Sequence, residues 1–242
     1  MERKAQVTAT PDGAMVHDPT RLGPVADPAW LDDAHWRAAG SVSTPPGGRG
    51  AALRVWTPAG AAVLRHFRRG GLVARINRDR YLWQGASATR PFQEFARLQA
   101  IADAGLPAPV PLAARYRRAG LWYRGDLLTQ AIEGVRTLAQ CLAETPSVVD
   151  WALIGRTIGR FHARGFPHPD LNAHNVLLGD GACHLVDFDR GAAAVPAAEW
   201  QQANLARLRR SLDKLHAPAR VPGFVSACWP ALCAAHAAEV VT

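Results

Sequence analysis

His168-Pro169-Asp170-Leu171-Asn172-Ala173-His174-Asn175 is the stretch whose reading decides the fold. It follows a helical pattern in which Trp151, Ile154, Ile158 and Phe161 recur at steps of three and four, closed by Gly165. It precedes Val176-Leu177-Leu178, which reads as a short strand. Twelve residues beyond Asn175 comes Asp187, in Leu185-Val186-Asp187-Phe188-Asp189, a strand ending on an acid. Residues of these types in this order fit the transfer of a phosphoryl group. That reaction needs a carboxylate beside the attacking hydroxyl, and Asp170 is placed to be one. It also needs hard oxygen ligands for Mg²⁺ bridging the phosphates, which Asn175 and Asp187 supply. His168 is expected to hold the loop in shape by side-chain hydrogen bonds. The plainer alternative is an Asp/Asn-rich turn joining a hairpin, with Asp187 capping a strand. A plain hairpin does not require so many acids flanked by apolar residues.

The series H-x-D-L-x-x-x-N is the catalytic-loop pattern of kinases, which leads to a search for the remaining kinase parts in the first half. There the chain reads as strands and turns. Residues 52–56 and 61–67 are strand-like, around a turn at 57–60 and after the glycine-rich Gly47-Gly48-Arg49-Gly50. That loop, through Gly48 and Gly50, is a candidate cover for phosphates, although any glycine-rich hairpin looks the same. Residues 92–104 are helical, with Phe92, Phe95, Leu98 and Ile101 on one face, and 110–116 and 121–129 read as two further strands. Glu94 lies in the helix and can pair with a cation on the 61–67 strand. The only lysines are Lys4 and Lys214, so Arg65 takes the place where kinases carry Lys. A surface acid and a solvated strand Arg are the plain alternatives for these two.

Beyond Glu133 the pattern turns helical. Residues 198–215 carry Leu205, Leu208, Leu212 and Leu215 on one side and an Arg-rich opposite face. The expected architecture is α+β: a protein-kinase-like, two-lobed fold with a cleft between the lobes. Its N-lobe is an antiparallel sheet plus one helix, and its C-lobe is mainly helical. The divisions read as an extension over residues 1–27 that is loosely ordered at its start, an N-lobe over 28–132 and a C-lobe over 133–242. Within the N-lobe, Trp30, Leu31 and Trp36 mark a short helix between 28 and 40.

Composition bounds the rest. Of 242 residues, 48% are hydrophobic and 20% charged, which excludes extensive disorder. Lys plus Arg is 28 against 20 acids, a formal charge of +8, nearly all of it Arg. Either the surface meets anionic partners or the genome is rich in Arg codons. Interleaved exposed aromatics, a helix-turn-helix and an RNA-binding signature are all missing, so nucleic acid is not the expected partner. Cys141, Cys183, Cys228 and Cys233 form no metal or disulfide pattern and read as buried reduced thiols. His162, His168 and His174, six residues apart, share no helical or strand face, which argues against a His-metal site. No signal-like segment opens the chain, and the apolar run 224–238 is interrupted by Pro230 and His236. These features point to the cytoplasm.

The chain resembles the 3-deoxy-D-manno-octulosonic acid (Kdo) kinases, relatives of the lipopolysaccharide core heptose kinases. The resemblance runs from about Pro28 to Leu215. It rests on Gly48-Arg49-Gly50, on 63–71, on Arg80-Tyr81-Leu82-Trp83 and on Phe92-Gln93-Glu94-Phe95. It continues through Gly105-Leu106-Pro107, on 170–175 and on Asp187-Phe188-Asp189-Arg190-Gly191. It implies transfer of the ATP γ-phosphate to the 4-hydroxyl of a Kdo sugar on a lipid A precursor, in lipopolysaccharide inner-core biosynthesis. Asp170 would be the base, Asn175 and Asp187 would hold Mg²⁺, and Arg65 with Glu94 would position the phosphates. The backbone near Gln130 and Ile132 would meet adenine. An acceptor of this kind implies peripheral association with the anionic cytoplasmic face of the inner membrane. Arg65–Arg69 with Arg75, Arg78 and Arg80 form the candidate contact for the acceptor or that surface, or else a solvated basic face. Alternatives are a heptose kinase or an antibiotic- or choline-type small-molecule kinase. Less favoured are a protein kinase, which the short stretch after Asp187 disfavours, and a non-catalytic pseudokinase.

Overall fold

The computed structural model describes residues 5–40, 52–69, 79–189 and 193–241. The architecture is α+β, and the chain divides into two compact units. One comprises Met1–Gln99 and Pro109–Ala131, the other Ala100–Ala108 and Ile132–Thr242.

The first unit is built on an antiparallel sheet. Its strands are β1 (Gln6–Thr10), β2 (Gly13–His17), β3 (Ala52–Thr57), β4 (Gly60–His66), β5 (Tyr81–Leu82), β6 (Pro111–Ala119) and β7 (Trp122–Gln130). The order is β1-β2-β6-β7-β4-β3, with β5 paired to the outer end of β7. Residues before Pro28, where the sequence shows no periodicity, thus supply two strands and the short α1 (Pro19–Leu22), capped by the Asp18 side chain. A 3₁₀ turn (Pro28–Leu31) and α2 (Asp33–Ala38) follow. The Trp36 indole donates to the Trp30 carbonyl at 2.8 Å, and Trp36 joins Met15, Leu31, Val55, Leu64, Leu112 and Leu128 in one core.

The helix α3 (Arg90–Asp103) buries Phe95, Leu98 and Ile101 at the spacing of one helical face. Side chains alternate across a strand, so β4 sends Leu64 into the Trp36 core and Arg65 to the other face of the sheet.

The second unit is mainly helical. It holds β8 (Arg136–Thr137), α4 (Leu138–Glu144), α5 (Trp151–Ala163), the hairpin β9 (Val176–Gly179) and β10 (Ala182–Leu185), α6 (Ala198–Lys214), α7 (Ala217–Arg220) and α8 (Trp229–Val240). A capping box between Thr137 and Gln140 starts α4, and the Asp150 side chain caps α5. The apolar run at 224–238 is one π turn (Phe224–Cys228) followed by α8, which begins with Pro230 in its first turn. Helices α5 and α8 approach so closely that a Cβ on Gly155 would sit 2.1 Å from the Leu232 carbonyl oxygen. Among the described residues, no helix is long and apolar enough to cross a membrane. All four cysteines are free; Cys141 and Cys183 are buried, while Cys228 and Cys233 are partly exposed.

Candidate active site

The loop after α5 is pinned by alternating burial. Leu171 and Ala173 are fully buried, while Asp170 and His174 face solvent. The Ala139 N–H donates to the Ala173 carbonyl (3.0 Å), which fixes the loop to α4.

His168 organises the loop. Its ring is buried and packs on Phe188, which in turn stacks on Phe161. Nδ1 accepts the Asp170 backbone N–H at 3.1 Å, and Nε2 lies 2.8 Å from the Val186 carbonyl. A carbonyl can only accept and a backbone N–H can only donate. The imidazole is therefore the neutral Nε2–H tautomer. Burial pushes its pKa down, in agreement with that assignment. One ring thus ties the backbone at Asp170 to the residue preceding Asp187.

The second tie is made by Asn175. Its amide N–H donates to the Asp170 carbonyl (2.9 Å), and its own backbone carbonyl accepts the Val186 N–H (3.0 Å). Because Val176 pairs with Leu185 in the hairpin, Asn175 and Val186 continue that register past its end. Asn175 and Asp187 are therefore held at the same end of one hairpin. Asp187 adopts φ 68°, a left-handed conformation that Asp tolerates better than most residues and that recurs at functional sites. With its NH₂ group engaged, Asn175 keeps its amide oxygen for a cation, and Asp187 contributes a carboxylate. Among the described residues, no cluster of three or more His, Cys, Asp or Glu forms a metal cage. This donor set fits Mg²⁺, which usually takes one or two protein ligands and completes its shell with water and phosphate.

Asp170 itself is exposed. Its Oδ1 accepts from Arg207 (3.3 Å) and its Oδ2 from the Asn172 amide (3.1 Å). Arg207 belongs to a face of α6 that the sequence reading did not identify. Asn204, Arg207 and Ser211, at i, i+3 and i+7, all reach the loop. The Asn204 Oδ1 accepts the His168 N–H (2.8 Å), and the Ser211 Oγ accepts the Ala173 N–H (3.1 Å). These polar residues lie among the buried Leu208 and Leu212 and carry no periodic signal of their own.

The same Asn204 oxygen lies 3.3 Å from the His162 Nε2, and the His162 Nδ1 lies 2.8 Å from the His236 Nε2 of α8. Burial, with His236 alongside, holds the His162 pKa down to about 3, so this ring is neutral. With Nε2–H donating to Asn204, its Nδ1 must accept from His236 Nε2–H. His162 and His168 therefore spend their ring nitrogens on protein hydrogen bonds.

In the first unit, Arg65 on β4 pairs with Glu94 on α3. Glu94 is 3% exposed, a burial that a carboxylate tolerates only with a partner. The Arg65 guanidinium also lies over the Phe67 ring. Gln130 ends β7, with its N–H donated to the Val110 carbonyl (2.8 Å) and its side chain accepting from Arg21 (3.1 Å); Ile132 follows, partly buried. Gly48 and Gly50, and Arg75 and Arg78, lie outside the described residues. Arg69 donates to the Arg80 carbonyl and covers the Tyr81 ring, while Arg68 is exposed.

A sequence model of the lipopolysaccharide kinase (Kdo/WaaP) family matches residues 33–235. The chain belongs to this family. A 3-deoxy-D-manno-octulosonic acid kinase of Xylella fastidiosa (strain 9a5c) is 45% identical over 205 residues, spanning 84% of this chain and 82% of its relative. A protein of the same description from Stenotrophomonas maltophilia (strain R551-3) is 48% identical over 206 residues, spanning 84% and 81%. Among solved structures, a WaaP in complex with acyl carrier protein covers 77% of this chain and 79% of its own, at 14% identity and a TM-score of 0.47. A glucosamine kinase covers 98% and 81%, at 14% identity and a TM-score of 0.49. Scores at that level add nothing to what the chain's own sheet and loop display. As a member of the Kdo/WaaP kinase family, the chain is a phosphotransferase acting on a sugar hydroxyl.

Proposed function

We propose that the chain is a Kdo kinase, transferring the γ-phosphate of ATP to the 4-hydroxyl of a Kdo sugar on a lipid A precursor in lipopolysaccharide inner-core biosynthesis. The observation that carries the phosphotransfer part is the His168 ring, whose two hydrogen bonds fix the backbone at Asp170 and at Val186 together. The similarity to Kdo kinases supports the choice of sugar.

In this reading the exposed Asp170 carboxylate orients the acceptor hydroxyl and takes its proton as the sugar oxygen bonds to the γ-phosphorus. The bond from that phosphorus to the β,γ-bridging oxygen breaks, and ADP leaves. Asn175 and Asp187 would hold Mg²⁺, which would neutralise charge on the ATP phosphates. Arg65, braced by Glu94, meets phosphate oxygens where other kinases use Lys, with a planar fork in place of a point charge. Gln130 and Ile132 meet adenine through backbone groups. Ile132 is the better donor, since the Gln130 N–H is committed to Val110. An acceptor held by its acyl chains implies work at the inner membrane's anionic cytoplasmic surface.

The test is incubation with ATP, Mg²⁺ and a Kdo-bearing lipid A precursor, followed by tandem mass spectrometry. One added phosphate on the Kdo fragment is expected. Phosphate found only on heptose, on a free small molecule or on protein would overturn the choice of acceptor.

A further inference from the structure

The far end of the β6–β7 hairpin carries an apolar group that is exposed among the described residues. Leu121 in the turn is 71% exposed, Leu82 on β5 52% and Trp122 on β7 40%. They form one patch: Leu82 is the cross-strand partner of Trp122, and the Trp83 N–H donates to the Leu121 carbonyl. Beside it lies a cavity of about 230 Å³ lined by Arg80, Arg117, Arg118, Arg124 and Trp122, with Asp12 its one carboxylate. Arg117 and Arg124 are also direct cross-strand partners, an arrangement that repels. Each is paired with carboxylates outside the cavity lining, Arg117 with Asp32 (3.5 Å) and Asp126 (3.9 Å) and Arg124 with Asp79 (2.8 Å).

The cavity falls below the roughly 300–1,000 Å³ of ordinary small-molecule sites, which suits a phosphate head group better than a nucleotide. Three apolar side chains at a hairpin end fall well short of the roughly 800 Å² per partner of a stable protein interface. An exposed Trp and two Leu bordered by Arg match instead the boundary between lipid head groups and acyl chains.

We infer that this hairpin end docks on a bilayer of anionic phospholipid, with Leu82, Leu121 and Trp122 entering the head-group boundary and the Arg-lined cavity taking a lipid phosphate. The inference deepens the reading of a membrane-borne acceptor by naming the surface that meets the membrane. It also moves that surface away from Arg65, which is engaged with Glu94.

The experiment is co-sedimentation with vesicles of phosphatidylethanolamine and phosphatidylglycerol, compared with phosphatidylcholine alone. Neither vesicle contains Kdo, so failure here leaves the proposed acceptor untouched. The intact chain is expected to bind the anionic vesicles at least about tenfold more tightly, an advantage that falls as salt rises. Leu121→Asp is expected to weaken binding by at least about tenfold, and the Arg117→Ala/Arg124→Ala pair to erase the preference for anionic lipid. Both variants should keep the wild-type circular dichroism spectrum. No binding by the intact chain, equal binding to phosphatidylcholine, or undiminished binding by both variants would overturn the inference. So would an intact chain that runs as a dimer and a Leu121→Asp variant that runs as a monomer, since the patch would then join two copies.

Discussion

At the scale of single residues, the proposed catalytic Asp170 is exposed, while the His168 ring that holds its backbone is buried. The His168 ring, the Asn175 amide and the Asn204 oxygen set its backbone; among the described residues, Arg207 and Asn172 hydrogen-bond its carboxylate. Asn204 is the most testable of these supports, because one oxygen accepts from both His168 and His162. Asn204→Leu keeps the approximate volume and removes the acceptor, leaving two donors short of a partner, at about 1–3 kcal/mol each where they are buried. A loop displaced by ~1 Å can lose about a hundredfold in rate. Measured at saturating ATP, kcat of Asn204→Leu should fall roughly 10–100-fold, with KM for ATP little changed. Asn204→Asp, which retains the oxygen, should recover most of it. Equal activity in Asn204→Leu and the intact chain would show that the loop holds its shape without α6.

At the scale of elements, α5 and α8 determine how well the second unit is packed. Replacing an exposed helical Gly with Ala usually gains up to about 1 kcal/mol. Gly155 should reverse that sign, because a Cβ there would meet the Leu232 backbone oxygen, which moves only if α8 moves. Overpacking costs about 1–3 kcal/mol, so Gly155→Ala should lower Tm by roughly 2–10 °C, read by differential scanning calorimetry. An unchanged or higher Tm would mean that α8 shifts freely.

The elements also show what was legible in the sequence. Strands β3, β4, β6, β7 and β9 and helices α3, α5 and α6 lie within a few residues of where the sequence puts them, the strands marked by their turns and the helices by one buried face; β10 lies at Ala182–Leu185, ahead of the 185–189 stretch that reads as a strand. Strand β2 escapes that reading since four of its five residues are buried, leaving no alternation. The loop residues were legible because their types and spacing are dictated by chemistry. Asn204 and Ser211 were not, because a polar residue on a leucine face carries no periodic signal of its own. The basic runs were legible as charge but not as geometry: only the fold separates Arg65, paired with Glu94, from Arg117 and Arg124, which lie opposite each other.

At the scale of the whole molecule, buried imidazoles set the acid limit of stability. Burial lowers the pKa of His162, His168, His184 and His236, with His162 reaching about 3 against the ordinary 6.5. Below pH 6.5 the unfolded chain takes up protons that the folded chain refuses. Stability present above that pH is therefore lost as pH falls toward the folded values. His66, raised chiefly by its hydrogen bond to Asp126, acts oppositely and loses its contribution as pH rises through its folded pKa. One opposing group does not balance four. His162 alone accounts for about 2 kcal/mol between pH 6.5 and 5, so Tm should fall by roughly 4–8 °C over that range. A flat or rising Tm would contradict the neutral, buried assignment.

Asp170 is the group proposed to move a phosphoryl group onto a sugar in this fold. The direct measurement is the initial rate of phosphate transfer from radiolabelled ATP to a Kdo-bearing lipid A precursor, for the intact chain and for Asp170→Asn. Steady incorporation by the intact chain is expected, with a loss of about 10²–10⁴-fold in the variant, whose Tm should stay close to that of the parent because the side chain is exposed. Incorporation by Asp170→Asn at the parent rate would contradict that role for Asp170.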